Sequence, residues 1–331
     1  MSRRHKLASR VMREIDALNR PMVRRVVRAG FLGAGAAIGV MVLVAVSGLA
    51  EWWVVLLGAV LGSMLGSLVG RALRPIGERF FGIATNARLL ELANPSYPLL
   101  RDLIVRAPGT YTHSVVTAYL AEAGAHVVGA NALLTRVGAY YHDVGKLMRP
   151  EFFFENLCGG QNPHDKARPE RSAEIIHQHV ADGVSLAEDY HLPSEVIAII
   201  EQHHGTSLVR YFYRKAAEGD ASIFEADFRY HGRHPQTKEA GLVMLADSAE
   251  AAVRALRTPR DDEVESTVRR VIGERLSDGQ LDESTLTTAD IDRLAEAFSR
   301  MLISMYHPRL EYPGESHRSE HVDIRHQPSR A

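Results

Sequence analysis

His142 and Asp143 stand side by side in AYYHDVGK, where the imidazole can hold one cation while the carboxylate bridges to a second. An isolated His-Asp pair recurs by chance in many proteins, so its company decides what it means. His113 lies upstream in GTYTHS, His179 downstream in IIHQHV, the pair His203–His204 opens HHGTS, and Asp247 sits in MLADSAEAA. Together these residues offer five imidazoles and two carboxylates, a supply suited to two borderline divalent metals. Taken singly, each has a plainer reading. His113 would sit near a helix N-terminus, His179 would be a partly buried surface residue, and His203–His204 would end a helix closed by Gly205. Taken jointly, so many polar groups within an apolar helical region would be buried without partners unless they share a ligand. His5, His126, His191, His231, His234, His307, His317, His321 and His326 lack such context and read as surface residues.

The elements that must position these groups are helical. From Thr110 to about Leu256 apolar residues recur at helical spacing, as in Val115, Val116, Tyr119 and Leu120, and no sustained strand alternation interrupts them. Ahead of this region, Ala29 to Ala50 and Trp52 to Gly70 are uncharged and each long enough to cross a bilayer, with Trp52–Trp53 at an interfacial position. Arg24, Arg25 and Arg28 precede the first run, and Arg71, Arg74 and Arg79 follow the second. The positive-inside rule then places both ends in the cytoplasm. Gly58, Gly62, Gly66 and Gly70 form a stripe on one helix face, open to close helix contact or simply reflecting glycine's frequency in membrane helices. The expected organisation is a basic cytoplasmic segment (1–28), a transmembrane hairpin (29–72), a connector (73–108), a helical core (109–256), C-terminal helices (257–313) and a disordered tail (314–331). The fold class is thus all-α, a helical bundle preceded by a two-helix transmembrane hairpin, with the helical core on the cytoplasmic side of the membrane.

Composition narrows the classes further. The chain has 331 residues, 24% of them charged, and a formal net charge of -1, so no basic platform for a nucleic-acid polymer is evident. Its basic start is better explained as a membrane-surface segment that meets lipid. Cys158 is the only cysteine, which excludes an intrachain disulfide framework and any CxxC zinc site.

The ordered set GTYTHS, YYHDVGK, NPHDKARPERSAEIIHQHVADG, LPSEVIAIIEQHHGTSLVRYFY and DFRYHGRHPQTKEAGLVMLADSAEAAVRAL resembles the HD domain of the seven-transmembrane-HD cyclic di-AMP phosphodiesterases. The resemblance runs from about Asn94 to Leu256 and returns in HPRLEYP. It implies an HD-domain helical bundle in which His113, His142, Asp143, His179, His203, His204 and Asp247 bind two iron or manganese ions. At the N-terminus the chain departs from that family, offering two spans and no extracytoplasmic domain, so sensing outside the cell is not expected.

The implied reaction is hydrolysis of a cyclic dinucleotide, cyclic di-AMP to 5′-pApA, with two cations supplying a hydroxide and neutralising charge on the phosphate. His113, His142, Asp143 and Asp247 are assigned to one metal, and Asp143, His179, His203 and His204 to the other. Asp143 and Lys146 are the expected catalytic residues, Lys146 orienting the scissile phosphate or the hydroxide. Thr206, Ser207, Arg210, Tyr211 and Tyr230 are candidates for substrate contact, with Tyr213 a further stacking ring and Asn162 and His164 on the rim. Metals act on phosphate and ignore the base, so cyclic di-GMP or another nucleotide is the alternative substrate, although HHGTSL lacks the GYP tripeptide that would favour the guanine compound. A non-catalytic nucleotide receptor would be expected to have lost a ligand, and none is lost. Homodimerisation is left open.

Overall fold

The computed structural model describes residues 57–58, 60–64, 66, 84–157, 161–218, 222–256 and 259–306. The chain divides into two units, residues 1–76 and 77–331. In the first, the described residues are helical, and Gly58, Gly62 and Gly66 have open space where a Cβ would lie. The basic segment, almost all of the proposed hairpin and the C-terminal tail fall outside the described residues. Among those described, no helix is long and apolar enough to cross a membrane.

The second unit is all-helical among its described residues, with only an isolated bridge between Leu208 and Arg229. Its helices are α1 (Asn86–Leu92), α2 (Pro98–Arg106), α3 (Pro108–Val128), α4 (Ala132–Tyr141), α5 (Pro169–Asp189), α6 (Ser194–Gln202), α7 (Arg210–Ala217), α8 (Lys238–Arg254), α9 (Asp261–Ser277) and α10 (Thr288–Tyr306). Local chemistry sets several ends. Proline at the first turn opens α2, α3 and α5, where its missing N–H costs nothing. Asn131 and Thr237 accept backbone N–H groups at the starts of α4 and α8, and α3 stops at Gly129, whose φ of 68° is left-handed.

Helix α3 is the central strut, packing on α4, α8 and α10. The approach is close: a Cβ on Gly124 would lie 2.8 Å from both Leu294 and Phe298 of α10. The core joins Leu120, Leu242, Leu245, Val268, Leu294 and Phe298. It also takes in Leu89, Leu92, Leu99, Leu100 and Leu103 from the stretch expected to be a connector. Tyr141 Oη secures that stretch by donating to Leu92 O at 2.8 Å. The compact unit therefore extends on both sides of 109–256, because that segment alone would leave the apolar faces of α2 and α10 without a partner.

Candidate metal centre

Two of the candidate ligand histidines occupy helix C-caps: His142 ends α4 and His203 ends α6. Unpaired carbonyls gather at such ends and favour positive charge nearby. His142 Nδ1 donates to Ala139 O, His179 Nδ1 to Ile176 O and His203 Nδ1 to Ile200 O, in each case the carbonyl three residues earlier. Because a carbonyl can only accept, each bond holds a proton on Nδ1 and turns Nε2, the atom that can ligate a metal, toward the cluster. The Nε2 atoms of His179 and His203 face each other at 3.3 Å, close enough for both to ligate one cation.

Asp143 divides its two oxygens. Oδ2 lies 3.1 Å from His142 Nε2 and 3.5 Å from His113 Nε2, whereas Oδ1 lies 3.3 Å from His179 Nε2 and 3.7 Å from His203 Nε2. Asp247 Oδ1 approaches His113 Nε2 at 3.0 Å, and its Oδ2 lies 3.9 Å from His204 Nδ1. Two four-residue sets result, His113/His142/Asp143/Asp247 and Asp143/His179/His203/His204, with the ligand atoms of each set within 4.8 Å of one another. His142 Nε2 and Asp143 Oδ1 are fully buried and make no hydrogen bond, a condition native interiors rarely tolerate without an ion or water. Imidazole nitrogen with carboxylate oxygen is a donor set for borderline divalent cations, so the residues fit a metal pair.

The electrostatics separate the two sets. Burial opposes charge on His142, but the adjacent Asp143 carboxylate outweighs it and pushes the pKa up to about 10. His203 is drawn down to about 3 by burial and by the neighbouring His142 charge, and His204 is likewise lowered by burial and His203. Asp143 and Asp247 stay well below the usual carboxylate range despite burial, because His142 and the Lys146 ammonium lie beside Asp143, and His113 and His142 beside Asp247. The half with two carboxylates thus attracts positive charge, while in the other His203 and His204 are held neutral.

Residues 110–252 match the HD domain family. The cyclic-di-AMP phosphodiesterase PgpH of Bacillus subtilis is 48% identical over 241 residues, and that of Listeria monocytogenes is 44% identical over 246. These alignments take in 73% and 74% of this chain but 34% of either relative, so the chain spans about a third of the length of the curated relatives it matches. The crystal structure of the Listeria PgpH HD domain in complex with cyclic-di-AMP is matched over its whole length and 64% of this chain, at 44% identity and a TM-score of 0.63. The chain belongs to the HD-domain family.

Within this HD domain the Gly145 of the HDVGK motif has a packing reason. A Cβ there would lie 1.8 Å from His179 O and 2.4 Å from Gly183 N, so only glycine lets the turn after Asp143 press against α5 at His179. Gly205, at a left-handed φ of 54°, turns the chain directly after His204. Gln280 secures that turn by accepting from Thr206 N and donating to Thr206 Oγ1, both at 2.9 Å.

Lys146 is no solvated surface residue. Its Nζ lies 2.7 Å from Asp143 Oδ2 and 2.8 Å from Glu155 Oε1, and the two carboxylates raise its pKa against the effect of burial. The cluster opens into a cleft of about 750 Å³ that Arg210 and Tyr230 also line. Tyr230 packs on the His204 ring at 4.3 Å and on His177 at 4.7 Å. Beyond it lies a second cavity of about 560 Å³, lined by Glu170, Glu174, Glu201 and Asp227 and by no lysine or arginine.

Other expected contacts are placed elsewhere. Tyr211 is 65% exposed, packs edge-on against Phe212 and does not line the cleft, because α7 turns Phe212 inward instead. The hydroxyl of Thr206 is taken up by Gln280 and His234, and buried Ser207 has its N–H on His204 O and its carbonyl on Tyr230 N–H. Tyr213 packs against Phe228 in a small apolar cluster. Asn162 caps the turn at 163–165 by accepting from His164 N, and His164 is buried against Phe152 and Phe212 rather than on a rim.

Sequence reasoning missed Glu250 and Glu155. Glu250 lies one turn after Asp247 on α8 and receives the His113 Nδ1 proton at 2.5 Å, so its spacing on the helix was an available signal. Glu155 comes from a loop turn, accepts from Lys146 and Thr110 Oγ1, and carries no comparable sequence signal.

Proposed function

We propose that the chain is a membrane-anchored, metal-dependent phosphodiesterase that opens cyclic di-AMP to 5′-pApA. The observation that carries this reading is the division of the Asp143 oxygens between two sets of imidazoles. His113, His142, Asp143 and Asp247 would hold one cation, and Asp143, His179, His203 and His204 the other, with iron or manganese suited to the donors. When bound, such a pair supplies a hydroxide near neutral pH and neutralises charge on the phosphoryl oxygens.

The chain's own residues do the positioning. The backbone carbonyls of Ala139, Ile176 and Ile200 hold three imidazoles in the ligating tautomer. Lys146, set between Asp143 and Glu155, orients the Asp143 carboxylate and keeps it ionised. Arg210 and Tyr230, on the cleft wall, would meet the nucleotide. The choice of adenine rests on likeness to the HD domain crystallised with cyclic-di-AMP. Anchoring rests on the uncharged runs Ala29 to Ala50 and Trp52 to Gly70.

The test uses membranes carrying the full chain, washed at alkaline pH and assayed in manganese or ferrous buffer with equal cyclic di-AMP and cyclic di-GMP. Preferential conversion of the adenine compound to its 5′-phosphorylated linear form, by activity that stays with the membranes, is expected. Preferential loss of cyclic di-GMP would sink the substrate while sparing the two-metal chemistry, and activity released by the wash would sink the anchor.

A further inference from the structure

The cleft that holds the cluster is rich in cationic side chains. Lys146, Arg210, Arg214, Arg254, Arg270 and Arg275 line it, against the carboxylates of Glu155, Asp247 and Glu274. Several of these cations are already committed. Lys146 sits on Asp143 and Glu155, Arg254 approaches Glu250, and Arg210 and Arg270 share Glu274 at 2.9 Å each.

Arg275 is different. It is half-buried, and among the described residues its one side-chain hydrogen bond runs from Nε to the neutral hydroxyl of Ser248 at 3.0 Å, with no ion pair to a carboxylate. The Asp247 and Asp278 carboxylates favour its charge from beyond pairing distance, so its planar fork of N–H donors, which matches the oxygens of a phosphate, is taken up by neither. Ser248 follows Asp247 directly on α8, so the bond that anchors Arg275 also ties it beside the cluster. Arg275 belongs to α9, beyond the residues that match the HD domain family.

We propose that Arg275, with Arg210 and Arg270 beside it, receives the second phosphodiester group of a cyclic dinucleotide, the one not being cleaved, while the first lies at the His/Asp cluster. This inference rests on the cyclic-dinucleotide reading given above. The cavity beyond Tyr230 cannot serve in the same way, because Glu170, Glu174, Glu201 and Asp227 would repel a phosphate there. A substrate with two phosphodiesters in one ring would gain from both positions at once, whereas a simple phosphodiester would gain only from the cluster. Arg275 is therefore a residue that selects for the size and charge of the substrate rather than one that performs the chemistry.

The full chain in manganese buffer tests this with cyclic di-AMP and with bis(p-nitrophenyl) phosphate, which carries a single phosphodiester. Arg275→Gln is expected to lower kcat/KM for the cyclic dinucleotide by about ten- to a hundredfold, mainly through KM. That loss should exceed the loss on the single ester by about tenfold or more. Arg275→Lys, which keeps the charge but not the fork, should recover part of it, and it carries the comparison should the glutamine variant fail to fold. Bound manganese is measured in each sample, and equal content shows that the cluster is intact. Equal losses on the two substrates, in a wild-type enzyme active on both, would overturn the inference alone. A wild-type chain that cleaves the single ester but no cyclic dinucleotide would instead overturn the underlying reading, and this inference with it.

Discussion

Along α8, Leu242, Val243 and Leu245 are buried among the apolar side chains of the core, whereas Asp247 and Glu250, less than two turns further on, are buried among imidazoles. Both halves of the helix are withdrawn from water, but they hold their surroundings in different ways. The apolar half gains from non-directional contact, in which shape and volume matter and many side chains could serve. The polar part gains only if each donor meets its acceptor, and beside it His142 Nε2 and Asp143 Oδ1 are buried without a hydrogen bond. Burial alone therefore does not identify core. Unsatisfied imidazole nitrogen and carboxylate oxygen converging on one place, rather than a lone buried hydroxyl such as that of Ser299, mark where something other than protein is to be held.

If that contrast is right, substitutions in the two regions should fail in opposite ways. The largest effect is expected at Asp143, the residue both ligand sets share. Asp143→Ala should take hydrolysis to background and remove most of the bound metal, a greater loss than the about 10- to 100-fold typical of outer partners, while the helical circular dichroism survives. Turnover near wild type with two metals per chain would show that the site lies elsewhere.

Phe298→Ala should do the reverse. Its ring is fully buried against α3, so the variant should lose about 3–5 kcal/mol of stability in a denaturant titration, yet retain its metal stoichiometry and its turnover per folded molecule. A large fall in turnover at unchanged stability would mean that core and site are coupled rather than separable.

Glu250→Gln sharpens the boundary, since Glu250 is fully buried but touches the cluster only through His113. The variant keeps the shape and removes the charge, and it should weaken metal binding by about 10- to 100-fold in a competitive chelator titration. Were it instead to melt like the Phe298 variant with unchanged metal affinity, Glu250 would belong to the structural half of α8.

What could be read in the sequence followed from local chemistry. The donors had to be imidazole and carboxylate, and the order of the motifs carried the family resemblance. Helical periodicity implied the bundle, and Gly205 after His203–His204 implied a helix end, as observed. Three imidazoles are aimed by a carbonyl three residues back, at a helix end for His142 and His203 and within α5 for His179. Which oxygen of Asp143 faces which histidine was decided only by packing, because the two sets of imidazoles come from helices far apart in the chain. The close approach of the turn after Asp143 to His179 depends on Gly145 pressing against α5. Glu155, Glu250 and Arg275 joined the site for the same reason: each is an ordinary charged residue in sequence, and it takes on its part in the cleft because folding removes water and brings a distant partner within hydrogen-bonding reach.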